Sequence, residues 1–381
     1  MDFGWSEEEI RLYQETIEYA QKELGGDLIE EDKKETFSRE RWNKCGSNGL
    51  LGLAIPKEYG GVGLKPEVCA LILEGLGHGC RDSGLFLAIG AHMWAVEVPI
   101  WKFASETQRK NFLPNLCSGK SIGAHAVTEP GSGSDAMSLN TKADRNGDYY
   151  IISGRKTFIT NAPVADLFIV FATINPKLGF TGVTAFLVEK DTPGLYVEAA
   201  KKKMGLKTAQ MSDIVFENCK IPVENRLGKE KEGHRIFATV MKWERAFILA
   251  PLLGVMQHQI QKCTQHANNR VQFGKKISQF ESVSNKIVDM QVRLEACRLL
   301  TYKAAWMLDH SEESMFSAIA KLEVSEAAVK TSIDAISIHG GYGYMAEHEV
   351  ERDLRDAIGT KLYSGTSDMQ KFLIASKLGL N

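Results

Sequence analysis

The sequence contains no Cys-x-x-Cys pair. Its seven cysteines (Cys45, Cys69, Cys80, Cys117, Cys219, Cys263 and Cys297) are scattered and odd in number. That pattern argues against a zinc site or a disulfide framework and for reduced, mostly buried thiols. An excess of either charge is also missing: the net charge is −2 with nine histidines taken as neutral. A general nucleic-acid or membrane surface needs a strong basic excess, so neither partner is expected. No apolar run is read as long enough to span a membrane. The opening MDFGWSEEEI lacks the basic and apolar regions of a secretory signal and the arginine-rich bias of a transit peptide, so a cytoplasmic protein is expected. A full dinucleotide fingerprint is absent too. Gly131-Ser132-Gly133-Ser134 lacks a third glycine, and polar, then strand-like text follows Asp135 instead of a helix. The glycines from Gly340 to Gly343 lie between helices, so no Rossmann-type nicotinamide site is expected.

What is present is ordinary globular text: 381 residues, 44% hydrophobic and 25% charged, enough for two or three domains. Ser6 and Glu9 fit a capping box, and Ile10, Tyr13, Ile17 and Ala20 then recur at helical spacing. GLLGLAIPKEYGGVG, from Gly49 to Gly63, reads as a loop, and helical text continues from about Val68 to Phe112. Near Ser121 the texture changes. Tyr149 to Ile152, Leu167 to Ala172, Val183 to Val188 and Ile214 to Phe216 are short β-branched and aromatic runs bounded by turn residues such as Asn146-Gly147-Asp148. They predict a small antiparallel sheet or barrel. From Gly233 the pattern is helical to Ser332, then a glycine cluster, then one final helix. Helices, sheet and helices kept apart give an α+β class with an N-terminal helical domain at 1–119, a middle β-domain at 120–231 and a C-terminal helical bundle at 232–381.

Six blocks carry a resemblance. AVTEPGSGSD (Ala126 to Asp135) and HGGYGYMAEHEVERDLRD (His339 to Asp356) are similar to the two signatures of the acyl-CoA dehydrogenase family. GLLGLAIPKEYGGVG, GRKTFITNA (Gly154 to Ala162), RVQFGKKI (Arg270 to Ile277) and YSGTSDMQ (Tyr363 to Gln370) also resemble family blocks, in the family's order. The resemblance implies the same three domains, the last a four-helix bundle, in a homotetramer with FAD. It implies that Val127, Thr128, Gly133 and Ser134 run along the isoalloxazine and the substrate's thioester arm, where glycines let the backbone approach closely. Phe158 and Thr160 match positions that stack on the ring and bond near N5, although the family often has Trp at the first. Arg270 and Phe273 match residues that reach FAD across a subunit interface. Gly340 and Gly341 match an adenine-side turn, and Thr366 a residue beside the cofactor. The second signature usually opens with an acidic or amide residue where this chain has Ser337, so one FAD contact is expected to be weaker or water-mediated.

The reaction implied is removal of an α-proton from an acyl thioester with hydride transfer from the β-position to flavin N5. Many family members carry the base just before the GTS of the last block, but that residue here is Ser364, whose hydroxyl cannot act unaided. A branch that includes isovaleryl- and long-chain acyl-CoA dehydrogenases places the base on the first helix of the C-terminal bundle. There this chain reads MKWERAFILAPLLG, which points to Glu244. The residues three and four positions away are Val240, Met241, Phe247 and Ile248, all apolar. A lone carboxylate on such a stripe is costly to bury, and burial would raise its pKa toward a working pH. The alternative is a structural ion pair with another helix. Arg245 either lines the same cavity and fixes a polar substrate group or makes a surface salt bridge. The Ser364 N–H still suits the thioester carbonyl, as an oxyanion donor does, and Tyr363 is expected to line the acyl pocket. Pro251 implies a kink or a helix end close to the base.

The stretch MKWERAFILAPLLGVM looks most similar to the prolyl-carrier-protein oxidases of natural-product pathways, the anatoxin type. The expected substrate is therefore an acyl thioester on a carrier protein, and a short or branched-chain acyl-CoA is the alternative. The electron acceptor implied is an electron-transfer flavoprotein or oxygen. Lys201, Lys202 and Lys203 form a candidate basic patch for an acidic carrier, against the alternative of a solvated charged turn.

Overall fold

The computed structural model describes residues 4–311 and 314–380; the outermost residues of the expected end domains, 1–3 and 381, lie outside the described residues, as do 312–313. Seven helices come first: α1 (Glu7–Glu23), α2 (Leu28–Lys34), α3 (Arg39–Ser47), α4 (Pro66–Gly79), α5 (Ser83–His92), α6 (Val98–Phe103) and α7 (Glu106–Cys117). The capping box read at Ser6 and Glu9 is formed, and Ser105 with Gln108 forms a second. A π-helical stretch, Met93–Glu97, joins α5 to α6, so helix runs unbroken from Ser83 to Phe103. That segment is long and apolar enough to cross a membrane, contrary to the reading that no such run exists. Its most apolar window is wholly buried in protein. It is apolar because it is a core helix, and composition alone does not separate the two cases.

The middle of the chain forms β1 (Gly123–Ala126), β2 (Lys142–Asn146), β3 (Tyr149–Thr160), β4 (Leu167–Thr173), β5 (Val183–Glu189), β6 (Leu195–Val197), β7 (Met211–Pro222) and β8 (Arg226–Leu227). The sheet order is β6-β7-β3-β2-β4-β5-β8, with β1 added beside β4. Most pairs are antiparallel, but β1 runs parallel to β4, and β2 meets β4 in parallel at Lys142 and Thr173, so the sheet is mixed rather than antiparallel throughout. The β1–β4 pair is possible because about forty residues cross between the two strands, carrying β2 and β3 on the way. A cluster that includes Tyr150, Phe168, Phe186 and Phe216 fills one side of the sheet. A second cluster joins its other side to the N-terminal helices.

The last part contains α8 (Gly233–Phe247), α9 (Ala250–Asn269), the small hairpin β9 (Val271–Gln272) and β10 (Lys275–Lys276), α10 (Glu281–His310), α11 (Met315–His339), α12 (Gly341–Tyr344), α13 (Val350–Thr360) and α14 (Ser367–Lys377). The expected single final helix is thus two helices and a short turn. Pro251 neither kinks α8 nor sits inside it. It occupies the first turn of α9, where its missing N–H is an orphan position anyway. The crossing of α4 and α9 depends on glycine. A Cβ on Gly77 would lie 1.8 Å from the Pro251 carbonyl oxygen, and one on Gly254 would lie 2.2 Å from that of Glu74. This close crossing fixes the end of α8 against the N-terminal helices and so places the residues just before it.

Candidate active site

α8 is strongly amphipathic. His234, Phe237, Met241 and Glu244 recur at spacings of three and four, so they share one face. Phe237 packs on the rings of His125 and Phe171 from the sheet. Glu244 is 8% exposed, with Val240, Phe247 and Ile248 buried around it. Trp94 stacks on Phe247 at 4.3 Å and closes that side. Burial raises the Glu244 pKa, and the Ser364 hydroxyl, Arg245 and Lys321 pull it back down, in that order. Ser364 Oγ donates to Glu244 Oε1 at 2.5 Å. Among the described residues no cation forms a salt bridge with Glu244, so the structural ion pair weighed from sequence is not made.

Ser364 lies in the turn between α13 and α14 with φ of 55°, and Gly365 follows at 90°. A non-glycine residue in this left-handed region is held there by its surroundings. The holding groups are identifiable. Arg245 Nε donates to the Ser364 carbonyl at 3.0 Å, and Gln370 Nε2 donates to the carbonyls of Ser364 at 3.2 Å and Gly365 at 2.9 Å. Lys321 Nζ, fully buried on α11, donates to the Gly365 carbonyl at 2.7 Å. A Cβ at Gly365 would meet Gln370 Nε2 at 2.7 Å, which explains the glycine. Burial lowers the Lys321 pKa to about 8 and that of Arg245 to about 10. Arg245 makes no salt bridge among the described residues; it braces the turn beside Glu244. Tyr363 is half-buried against the main core, and burial, then Glu244, pushes its hydroxyl pKa up. Thr366 caps α14 by accepting from the Met369 N–H.

Lys321 and Gln370 were missed from sequence. A signal for Lys321 existed: Ala318, Lys321, Val324, Ser325 and Ala328 recur at helical spacing and are all buried. Gln370 had no comparable signal.

A second group surrounds the loop after β1. Lys156 Nζ, fully buried, donates to the Val127 carbonyl at 2.9 Å and to Glu129 Oε1 at 2.8 Å. Glu129 also accepts from the N–H groups of Asn140 and Thr141, which ties both ends of the loop together. The Thr157 N–H donates to the Thr128 carbonyl at 2.8 Å. The β3–β7 register is irregular between Lys156 and Ile159, and Phe158 stands in that bulge with φ of 57° and 60% exposure. Asp213 fixes the bulge by accepting from Thr157 Oγ1 at 2.6 Å and from the Phe158 N–H at 3.3 Å. Thr160 is half-buried two residues on and pairs with Met211. Gly133 and Ser134 are exposed at the loop tip, and a Cβ at Gly133 would meet nothing within 4 Å.

A third group is a cleft of its own, about 520 Å³, lined by Arg270, Gly340, Gly341, Tyr342, His266 and Gln272 among others. Arg270 is exposed and forms no salt bridge among the described residues. Phe273 does not line this cleft; it stands at the hairpin tip with φ of 50° and 95% exposure. Ser337 is exposed on α11. The Lys201–Lys203 patch is weaker than its sequence suggests. Lys201 pairs with Asp213 at 3.1 Å and Lys203 Nζ is tied to the Ala209 carbonyl, leaving Lys202 exposed.

A buried carboxylate on an amphipathic helix, a braced left-handed turn against it, an aromatic ring held in a bulge and a glycine-lined cationic cleft fit a flavin-type thioester oxidoreductase site. Models of the acyl-CoA dehydrogenase N-terminal, middle and C-terminal domains match residues 6–120, 124–219 and 231–379. The chain belongs to the acyl-CoA dehydrogenase family. It is 42% identical over 346 residues to an L-prolyl-[peptidyl-carrier protein] dehydrogenase of Pseudomonas fluorescens, covering 90% of this chain and 91% of that one. It is 46% identical to the prolyl acyl carrier protein oxidase AnaB, whose crystal structure superposes with a TM-score of 0.98 over 99% of this chain and 100% of the other. The structure of PigA with FAD and proline matches at 39% identity and a TM-score of 0.97, over the whole of both chains.

Proposed function

We propose that this chain is an FAD-dependent oxidoreductase of acyl thioesters and that its substrate is a prolyl group tethered to a carrier protein, in natural-product biosynthesis. The observation that carries the reading is Glu244, a buried carboxylate with a hydroxyl partner and, among the described residues, no salt bridge, on the helix that leads in from the sheet. The Glu244 carboxylate takes the α-proton of the thioester. Desolvation raises its basicity, and the Ser364 hydroxyl offsets part of that rise in favour of the carboxylate form. The Ser364 N–H holds the thioester carbonyl, in an orientation set by Arg245 and Gln370 on the carbonyl of the same residue. The two nearby cations, Arg245 and Lys321, favour the anionic carbon acid that forms. Tyr363 lines the acyl pocket.

The residues present fit FAD. Phe158 presents a ring face, Gly340 and Gly341 leave an open backbone, and Arg270 supplies an exposed cation beside them. Val127, Thr128, Gly133, Ser134, Phe158, Thr160 and Thr366 would hold the ring and its chain. Gly340 and Gly341 would hold the adenine side, with Arg270 and Phe273 reaching a neighbouring subunit's cofactor in a homotetramer. Bound FAD supplies the hydride acceptor. The electrons then pass to an electron-transfer flavoprotein or to oxygen. The chain divides into units at 1–119, 120–231 and 232–381.

The test is the anaerobic visible absorbance of the purified protein, titrated separately with prolyl-loaded carrier protein and with isovaleryl-CoA. Bleaching by the prolyl carrier alone is the expected result. Bleaching by the CoA ester alone would move the protein to acyl-CoA catabolism.

A further inference from the structure

The loop between β4 and β5 is short of reasons to be apolar. Leu178 and Phe180 are 41% and 58% exposed, on either side of Gly179, whose backbone (φ 56°, ψ −136°) is open to glycine alone. Phe180 meets the ring of His234 edge-on at 5.7 Å. His234 is the outermost member of the α8 stripe that continues through Phe237 and Met241 to Glu244. Ten residues of helix separate His234 from Glu244, about 15 Å at 1.5 Å per residue. The stripe therefore runs from an exposed aromatic patch at the surface to the buried base. Beside it, Ala136 and Met137, just past the glycine loop, pack in the same cluster as Phe237.

The rim of the patch is cationic. Lys177 belongs to the loop, and Lys229, Lys231 and Arg235 lie on the chain that enters α8. The adjacent carboxylates are engaged. Glu230 accepts from Arg145 at 3.1 Å and from the Tyr150 hydroxyl, and Glu232 accepts from Arg235 at 2.6 Å and the Lys229 N–H at 2.8 Å. Lys177, Lys229 and Lys231 form no salt bridge among the described residues, and all three are exposed. Two exposed apolar side chains on a loop with one such lysine, beside a segment that carries two more, fit an acidic protein face.

We propose that residues 176–182 together with 229–235 are the docking surface for the carrier protein: its acidic face meets Lys177, Lys229 and Lys231, Leu178 and Phe180 seat against its apolar residues, and its tethered arm follows the α8 stripe to Glu244. This rests on the carrier-bound substrate proposed above. It replaces the Lys201–Lys203 patch as the basic contact.

The test compares two substrates, prolyl-loaded carrier protein and the small prolyl-pantetheine thioester, on wild type, Phe180→Asp and the double variant Lys177→Glu/Lys231→Glu. Each variant is expected to raise KM for the carrier by about tenfold or more, one factor of ten being about 1.4 kcal/mol of contact. The kcat for saturating carrier and both constants for the small thioester should not move. Added salt should raise the carrier KM of wild type more steeply than that of the double variant. Visible absorbance and elution volume check that each variant keeps flavin and assembly. Unchanged carrier KM in both variants, or an equal rise for the two substrates, overturns the docking surface alone. If wild type oxidises isovaleryl-CoA and not the prolyl carrier, the substrate reading fails and the docking surface falls with it.

Discussion

Replacing Ser364 by alanine should move the pH dependence of this enzyme while leaving its plateau rate nearly intact. The hydroxyl donates to Glu244 Oε1 at 2.5 Å and is the first of the groups that lower that carboxylate's pKa against the larger effect of burial. A hydrogen bond to a charged group is worth about 1.5–3 kcal/mol. Its loss should therefore raise the Glu244 pKa, and at about 1.4 kcal/mol per factor of ten the ionised fraction at pH values below that pKa should fall by about ten- to a hundredfold. The sign follows from the role. Glu244 works as the carboxylate, so activity falls as pH drops through its pKa. A higher pKa therefore shifts the acid limb to higher pH, and kcat/KM on that limb falls by the same factor. The backbone donor at residue 364 and its bracing by Arg245 and Gln370 survive the change, so the rate above the limb should stay within a few-fold. The assay is kcat/KM for the prolyl carrier across about pH 5 to 9, the range in which such a limb is read. An unmoved limb, or one displaced to lower pH, would refute the hydroxyl's part in setting the base.

Lys321→Met removes a buried cation that also lowers the Glu244 pKa, so its acid limb should move the same way by a smaller amount, read in the same profile. Lys156→Met leaves Glu129 a buried carboxylate without its cation; breaking such a pair costs about 3–5 kcal/mol, measurable as a lower thermal midpoint together with loss of flavin absorbance. Phe158→Gly relieves a left-handed side chain worth about 1–2 kcal/mol, so the flavin-free protein should melt no lower than wild type while its FAD affinity, by absorbance titration, falls.

The buried carboxylate proposed as the base was legible because it alone interrupted an apolar stripe, and the stripe is buried as its spacing implied. Of the groups around it, Arg245 was legible as its neighbour and Ser364 through the resemblance, but the bond from the Ser364 hydroxyl was not, because no local pattern encodes a hydrogen bond across 120 positions. Lys321 and Gln370 reach the site from α11 and α14, and only Lys321 left a trace, as a polar residue on a buried helical stripe. Long strands such as β4 were visible as apolar runs. β2 was not, because its Lys-Ala-Asp-Arg-Asn text is mostly exposed and charged. β1 was missed because its four residues, Gly-Ala-His-Ala, include no β-branched side chain. The helix from Ser83 to Phe103 was misjudged for the opposite reason: it is apolar on every side because protein surrounds it on every side.

The most direct measurement is anaerobic rapid mixing of the Glu244→Gln variant with prolyl-loaded carrier protein, following flavin absorbance. Glutamine keeps the shape and a hydrogen-bond partner for Ser364 but cannot take a proton. The variant should remain yellow with bound FAD, and its bleaching should slow by at least about a hundredfold, the scale of a lost general base. Bleaching at the wild-type rate would contradict the assignment of Glu244 and return the search for the base to the rest of the cavity.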